Sequence, residues 1–149
     1  MIDIVILIAC TLCGYLCGKY IEKRVLDKNN FYQDLRKYIS LLKENVVGKQ
    51  LELDKFNRNF SENCSKVFAE YLNDNKLKCK VGTAQRKNLE EFFGNLVCVS
   101  SEQLSNHIEF FEKVLSEDIK FVKEQEVAKS SVYSKVGALI GAIVGILLI

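Results

Sequence analysis

The chain has 149 residues, 48% of them hydrophobic and 27% charged, and its formal net charge at pH 7 is +2. Because this charge is small and the basic residues are scattered among acidic ones, we expect no nucleic-acid partner. The length predicts one domain with short appendages. The chain contains no proline, which favours a mainly helical structure because no residue forces a helix to stop.

The first predicted element is an apolar helix at residues 1–20. Residues 4–17 carry no charged side chain, but a helix of that length spans only about 21 Å, against about 30 Å of bilayer hydrocarbon. The flanking residues lengthen it, and its tyrosine and lysine side chains suit the membrane interface. We therefore predict a membrane-spanning helix. The alternative is the buried core helix of a soluble domain.

Three cysteines in this segment, Cys10, Cys13 and Cys17, fall on one helix face because they lie three and four residues apart. Lipid attachment is disfavoured because the segment lacks a positively charged start. A metal or redox site is disfavoured because no fourth ligand lies nearby. The cysteines resemble small packing residues instead, since Gly14 and Gly18 share the segment and small residues let membrane helices approach closely. We predict no metal and no cofactor.

The central segment, residues 21–132, is predicted to be a helical-bundle domain. Apolar residues recur there at three- and four-residue spacing, which is typical of amphipathic helices. The predicted core residues are Phe31, Leu35, Tyr38, Ile39, Leu42, Leu53, Phe56, Phe60, Val67, Phe68, Tyr71, Leu72, Leu89, Phe92, Phe93, Leu96, Val97, Leu104, Ile108, Phe111, Leu115, Ile119 and Val122.

Local signals predict where these helices begin and end. The first central helix continues from the first span and ends near Gly48, and the second stretch breaks near Ser61. Thr83 is the predicted N-cap of the next helix. Ser100 and Gln103 form a predicted capping box that opens a long helix running toward the last apolar segment.

The last predicted element is a second membrane-spanning helix at residues 133–149. Residues 136–149 carry no charged side chain, and Gly137, Gly141 and Gly145 repeat every four residues. With Gly14 and Gly18, this repeat predicts close helix packing. The two terminal helices are expected to pack against each other or against neighbouring membrane helices.

Basic residues flank the inner ends of both predicted spans. They are Lys19, Lys23, Arg24 and Lys28 after the first span, and Lys123, Lys129 and Lys135 before the second. Since positive residues favour the cytoplasmic side, we predict that the central domain is cytoplasmic and both termini face away from it.

No enzyme motif is present in the sequence. It has no glycine-rich phosphate loop, metalloprotease pattern or nucleophile motif. The single histidine, His107, lacks an evident catalytic partner and is interpreted as a half-exposed surface or groove residue. We therefore predict a non-enzymatic protein without a small-molecule substrate.

Three segments resemble the stage III sporulation protein AB family of endospore-forming Firmicutes. They are NLEEFFGNLVCVSSEQLSNHIEFFEKVL at residues 88–115, YSKVGALIGAIVGILLI at residues 133–149 and, more loosely, LRKYISLLKENVVGKQLEL at residues 35–53. The order of a membrane helix, a helical domain and a second membrane helix is similar along the whole chain. The family's Pro-Leu and Tyr-Gly features after the first cytoplasmic helix are absent.

The resemblance implies a sporulation role in the mother-cell membrane around the forespore. Family members belong to the channel complex between the two cells, and their helical domain is similar to platform proteins of type II secretion and type IV pilus systems. By that analogy the chain anchors a secretion-type ATPase, the stage III AA protein. Two alternatives remain at this point: an unrelated membrane-tethered helical scaffold or adaptor, and a thiol or metal redox membrane protein built on the three cysteines.

Overall fold

A computed structural model describes residues 2–48, 52–74, 77, 79, 81–96 and 101–148, and gives the backbone alone at residues 46–48, 101 and 102. Helix α1 is Ile2–Leu42 and continues through a π-helical segment, Lys43–Gly48. The helices that follow are α2, Leu53–Ser61; α3, Lys66–Asp74; α4, Thr83–Asn95; and α5, Ser101–Phe121. A second π-helical segment, Val122–Val127, leads into α6, Ala128–Leu147. The described residues contain no strand, so the predicted all-helical class is confirmed.

The chain divides into two compact units. The terminal unit comprises Met1–Asp27 and Phe121–Ile149, and the central unit comprises Lys28–Lys120. The predicted domain limits at residues 20 and 132 stay predictions. They mark where the chain is expected to enter the membrane, whereas the two compact units are defined by contacts within the chain.

The central unit is built around the predicted apolar stripes. In α1, all five predicted core side chains are buried, from Phe31 to Leu42, and α5 buries its own stripe from Leu104 to Ile119. Four predicted core residues are only half-buried: Leu53, Val67, Leu72 and Phe93. Val97 lies outside the described residues. The three- and four-residue spacing therefore predicted the buried face of each long helix.

Aromatic side chains fill much of this core. Tyr38 lies at the centre, with ring centroids 5.2 Å from Phe56, 5.3 Å from Phe60 and 5.7 Å from Phe68. Its hydroxyl donates a 2.7 Å hydrogen bond to Asn57 Oδ1. This bond satisfies a polar atom whose burial without a partner would be costly.

The predicted breaks hold with one correction. The first helical run ends at Gly48, and the second stretch divides after Ser61. The N-cap of α4 is Gly82, not Thr83, because Thr83 already lies in the first turn. Gln85 Oε1 accepts the Gly82 N–H at 2.9 Å, which supplies one half of a capping box that was not predicted for this helix. The capping box at Ser100 lies outside the described residues.

Both candidate spans are long helical stretches, Ile2–Asn45 and Gln103–Leu147, with mean hydropathy of 1.9 and 1.6 in their most apolar windows. Only 6% and 22% of those windows is buried. A core helix of a soluble domain would be mostly buried, so this exposure favours membrane spans over the alternative of buried core helices.

Candidate functional site

The terminal unit is an antiparallel pair of helices held at a seam of small residues. Along the seam, Leu7 meets Gly145, the Cys10 backbone meets Gly141, Gly14 meets Gly137, and Gly18 meets Tyr133 and Ser134. Each advance of about one turn along α1 is therefore matched by a retreat of about one turn along α6, as expected for antiparallel helices. The structure places all five sequence-predicted glycines at this contact.

Four of these glycines bring one backbone against the other. A Cβ atom on Gly14 would collide with the Gly137 carbonyl oxygen, and a Cβ on Gly137 would collide with the Gly14 carbonyl oxygen. Gly18 meets the Tyr133 carbonyl and Gly141 the Cys10 carbonyl in the same way. Since a backbone cannot move aside as a side-chain tip can, these positions admit glycine alone at this helix separation.

Gly145 is a looser contact. The nearest atom to its missing Cβ is the Leu7 side-chain carbon Cδ1 at 3.0 Å, followed by Leu7 Cα at 3.1 Å. A side-chain tip yields by a change of rotamer. The seam is thus limited by backbone contacts in the middle and by a side chain at its Gly145 end.

Hydroxyl side chains extend the seam, and our sequence reasoning missed them. Ser130 and Ser134 are buried in α6. Their hydroxyls donate to the Val127 and Ser131 carbonyls within the same helix, so no polar atom needs a partner across the contact. Small residues at three- and four-residue spacing from 130 to 145 carried this signal in the sequence.

The remaining faces of both helices expose apolar side chains. Six of the most exposed are Ile2, Ile4, Val5, Leu139, Ile146 and Leu147. A helix pair that is apolar outside and joined by small residues inside suits a hydrocarbon environment. The contact between α1 and α6 is observed, whereas the role of the glycines in assembly within a membrane stays a prediction.

The three terminal-unit cysteines lie in different surroundings. Cys10 is half-buried beside Gly145, whereas Cys13 and Cys17 are exposed. Cys64 is half-buried and Cys79 is buried, and all five are free thiols. Burial raises the pKa of the Cys64 thiol, which disfavours a reactive thiolate there. Cys98 lies outside the described residues.

The metal-ligating side chains are scattered in the described part of the chain. No group of three His, Cys, Asp or Glu side chains there lies close enough to hold a metal ion. His107 is half-buried, as predicted, and its ring stacks on Phe92 with the centroids 5.6 Å apart. Its Nε2 atom is buried and has no hydrogen-bond partner among the described residues, so the aromatic contact is the one that the structure shows for this ring.

A cavity of about 820 Å³ opens in the central unit between α2, α3 and α4. Tyr71 and Phe93 form part of its wall, with Asp54, Arg86 and Glu90 among its polar residues. Burial, followed by the charge of Glu90, raises the pKa of Tyr71 to about 12. The tyrosine therefore remains a neutral wall residue at physiological pH.

Comparison with known families identifies the chain. The family model of stage III sporulation protein AB matches residues 53–149, more than half of the chain and the whole stretch from α2 to the C-terminus. No curated protein and no solved structure matches it. With two candidate spans and this match, which together indicate membrane association, the chain belongs to the stage III sporulation protein AB family and has a sporulation-related role.

Proposed function

We propose that the chain is a non-enzymatic membrane platform of the channel between mother cell and forespore. In this role it holds a secretion-type ATPase, the stage III AA protein, at the mother-cell membrane. The observation that carries the proposal is the antiparallel helix pair at the two chain ends, taken together with the family match. A domain attached to a membrane through both ends resists being pulled away, as a docking platform must.

Charge supports a cytoplasmic central unit. Lys23, Arg24 and Lys129 lie near the inner ends of the two apolar stretches, and all three are exposed. Positive residues at these places favour the cytoplasmic side. An ATPase needs cytoplasmic nucleotide, so this orientation also fits the proposed partner.

Orientation is tested with a membrane-impermeant maleimide on the full chain in intact cells, with Ser116→Cys introduced into a variant in which all six native cysteines are serine. Ser116 is exposed on α5. We expect labelling only after the membrane is permeabilised. Labelling in intact cells would place the central unit outside and contradict the proposed orientation.

The function is tested by deleting the gene in the source organism. We expect normal vegetative growth, completed engulfment, and then small forespores that yield few heat-resistant spores. Re-expression of the wild-type chain should restore the yield. A normal spore count without any related gene that substitutes would contradict the proposal and favour a general membrane-tethered scaffold. A variant with serine at Cys10, Cys13 and Cys17 that restores spores would exclude the redox alternative.

A further inference from the structure

A groove on the central unit lies between the second half of the α1 helical run and α2. Its volume is about 700 Å³, within the range of about 300–1,000 Å³ typical of binding pockets. The described lining residues are Arg36, Lys37, Ser40, Leu41, Asn45, Phe56, Asn59, Phe60 and Asn63. No described residue that lines the groove belongs to the glycine seam.

The floor of the groove is apolar. Phe56 and Phe60 are core residues, 5% and 9% exposed, that line the groove. Leu41 beside them is 40% exposed although its neighbours Ile39 and Leu42 are buried. An exposed leucine beside two phenylalanines leaves apolar area open to water. Burying it against a partner's side chain would be favourable.

The rim of the groove is positive and polar. The described lining residues include two cations, Arg36 and Lys37, and no carboxylate. Lys37 Nζ lies 3.9 Å from Asp34 Oδ1, a weak pair whose lysine side chain is 71% exposed. Arg36 is exposed and makes no ion pair within the part of the chain that the structure describes. At least one cation is therefore available to a partner.

Local hydrogen bonds hold the rim in place. Asn45 Nδ2 donates to the Leu41 carbonyl at 2.9 Å, and Asn63 Nδ2 donates to the Asn59 carbonyl at 3.0 Å. Since these amides are already ordered, a partner loses less free energy in fixing them on binding.

We propose that this groove binds an acidic, amphipathic helical segment of a partner protein. Leucine-like side chains of the segment lie on the Leu41, Phe56 and Phe60 floor, and its carboxylates face Arg36 and Lys37. This is the helix-in-groove mode of peptide recognition, with charge complementarity that fixes the sign of the partner. The assignment of this segment to the ATPase rests on the proposed function. The preference of the groove for an acidic, amphipathic helix does not depend on that function.

The test uses the full chain in phosphatidylcholine nanodiscs and three dye-labelled synthetic helical peptides. The first has leucine at three- and four-residue spacing and glutamate elsewhere. The second has lysine in place of glutamate, and the third has the composition of the first in scrambled order. Fluorescence anisotropy gives the affinity of each peptide. We expect the first peptide to bind best.

The decisive variant is Arg36→Glu, and its matched control is Arg58→Glu. Arg58 is an exposed arginine on α2 that does not line the groove. Reversing a contacting charge replaces attraction with repulsion, so Arg36→Glu should weaken the glutamate–leucine peptide about tenfold. Arg58→Glu should leave the affinity within about twofold, because Arg58 does not line the groove and an exposed charge without direct contact contributes little.

Equal binding of the glutamate and lysine peptides would overturn the inference, as would equal effects of the two variants. A third outcome would also overturn the inference. If phosphatidylglycerol in the nanodisc abolishes peptide binding to the wild-type chain and to Arg36→Glu alike, the peptide responds to the charge of the membrane and not to the groove. If the peptide does not bind but the ATPase still reaches the membrane through the chain, the groove inference fails alone. If the peptide binds as expected and the ATPase reaches the membrane without the chain, the proposed function fails alone.

Discussion

Replacing Gly14 by alanine adds one methyl group to α1 at the tightest part of the seam. That methyl would collide with the Gly137 carbonyl oxygen, because ordinary van der Waals contact begins near 3.4 Å. The two helices must therefore move apart by about 1 Å, and a gap of that size forfeits a quarter to a half of each dispersion contact along the seam.

The magnitude follows from two opposing effects. Overpacking of a close contact costs about 1–3 kcal/mol. Alanine in place of glycine returns about 0.5–1 kcal/mol through its better helix propensity. We therefore expect Gly14→Ala to destabilise the helix pair by about 1 kcal/mol net, within a range of about 0–2.5 kcal/mol. Gly145→Ala should cost less, because the Leu7 side chain can change rotamer.

Gly94→Ala is the matched control. Gly94 lies in α4, and a Cβ there would meet nothing within 4 Å. The same substitution then shows only the propensity effect, which should stabilise the central unit by about 0.5–1 kcal/mol and leave the helix pair unchanged.

The assay is energy transfer between dyes at the start of α1 and the end of α6, which the contact of Leu7 with Gly145 places at the same end of the helix pair. The full chain in mixed micelles is titrated with sodium dodecyl sulfate until transfer is lost. The midpoint should fall most for Gly14→Ala, less for Gly145→Ala and not at all for Gly94→Ala. Identical midpoints for all three variants would refute the backbone-limited seam.

Three further predictions concern the central unit, each measured on the full chain in detergent. The Asp34 carboxylate accepts the Ser65 N–H at 2.7 Å beside the start of α3, and Asp34→Asn removes its charge. This substitution should lower the free energy of unfolding by about 1–2 kcal/mol in a denaturant titration. An unchanged free energy of unfolding would contradict a capping role for Asp34. Because burial raises the pKa of Tyr71 from 10.0 to about 12, the unfolded chain loses this proton first as the pH rises. The contribution of Tyr71 to the free energy of unfolding should then fall by about 1–2 kcal/mol between pH 10 and 12, less than the full pKa difference implies because solvent screens this partly accessible hydroxyl, and Tyr71→Phe should reduce the slope. Lys43 Nζ lies 2.6 Å from Glu109 Oε1 and lowers the pKa of that carboxyl, so this contribution is present at neutral pH and is lost as the pH falls through the lowered pKa. Lys43→Glu should lower the melting temperature slightly, and the double exchange with Glu109→Lys should restore it.

Periodicity predicted the long helices because each buries a stripe at fixed spacing. Phe31, Tyr38 and Ile108 were all identified in this way and all are buried. The break after Ser61 was also predicted, since polar residues interrupt the stripe there.

What the sequence could not supply were contacts between distant residues. Asp34 accepts a hydrogen bond from Ser65, and no local pattern relates residues 31 positions apart. The N-cap of α4 was misplaced by one residue because Thr83 is a good capping residue by type, whereas the backbone places Gly82 there and Gln85 satisfies its N–H.

In the candidate seam, too, the local sequence pattern was predictable, whereas the contacts between distant residues were not. The four-residue repeat identified Gly137, Gly141 and Gly145 as close-packing residues, but their partners depend on how two separate helices align. The small residues of α6 also include Ser130 and Ser134, whose hydroxyls bond within α6. Because the predicted repeat consisted of glycines, these two serines were not assigned to the seam.

The most direct test of the central claim is the location of the stage III AA-type ATPase after engulfment. A fluorescent fusion of the ATPase is imaged in cells that carry the wild-type chain and in cells that lack it. The proposed function predicts fluorescence along the membrane around the forespore in the first cells and a diffuse mother-cell signal in the second. Membrane fluorescence that persists without the chain would contradict the claim that this protein holds the ATPase there.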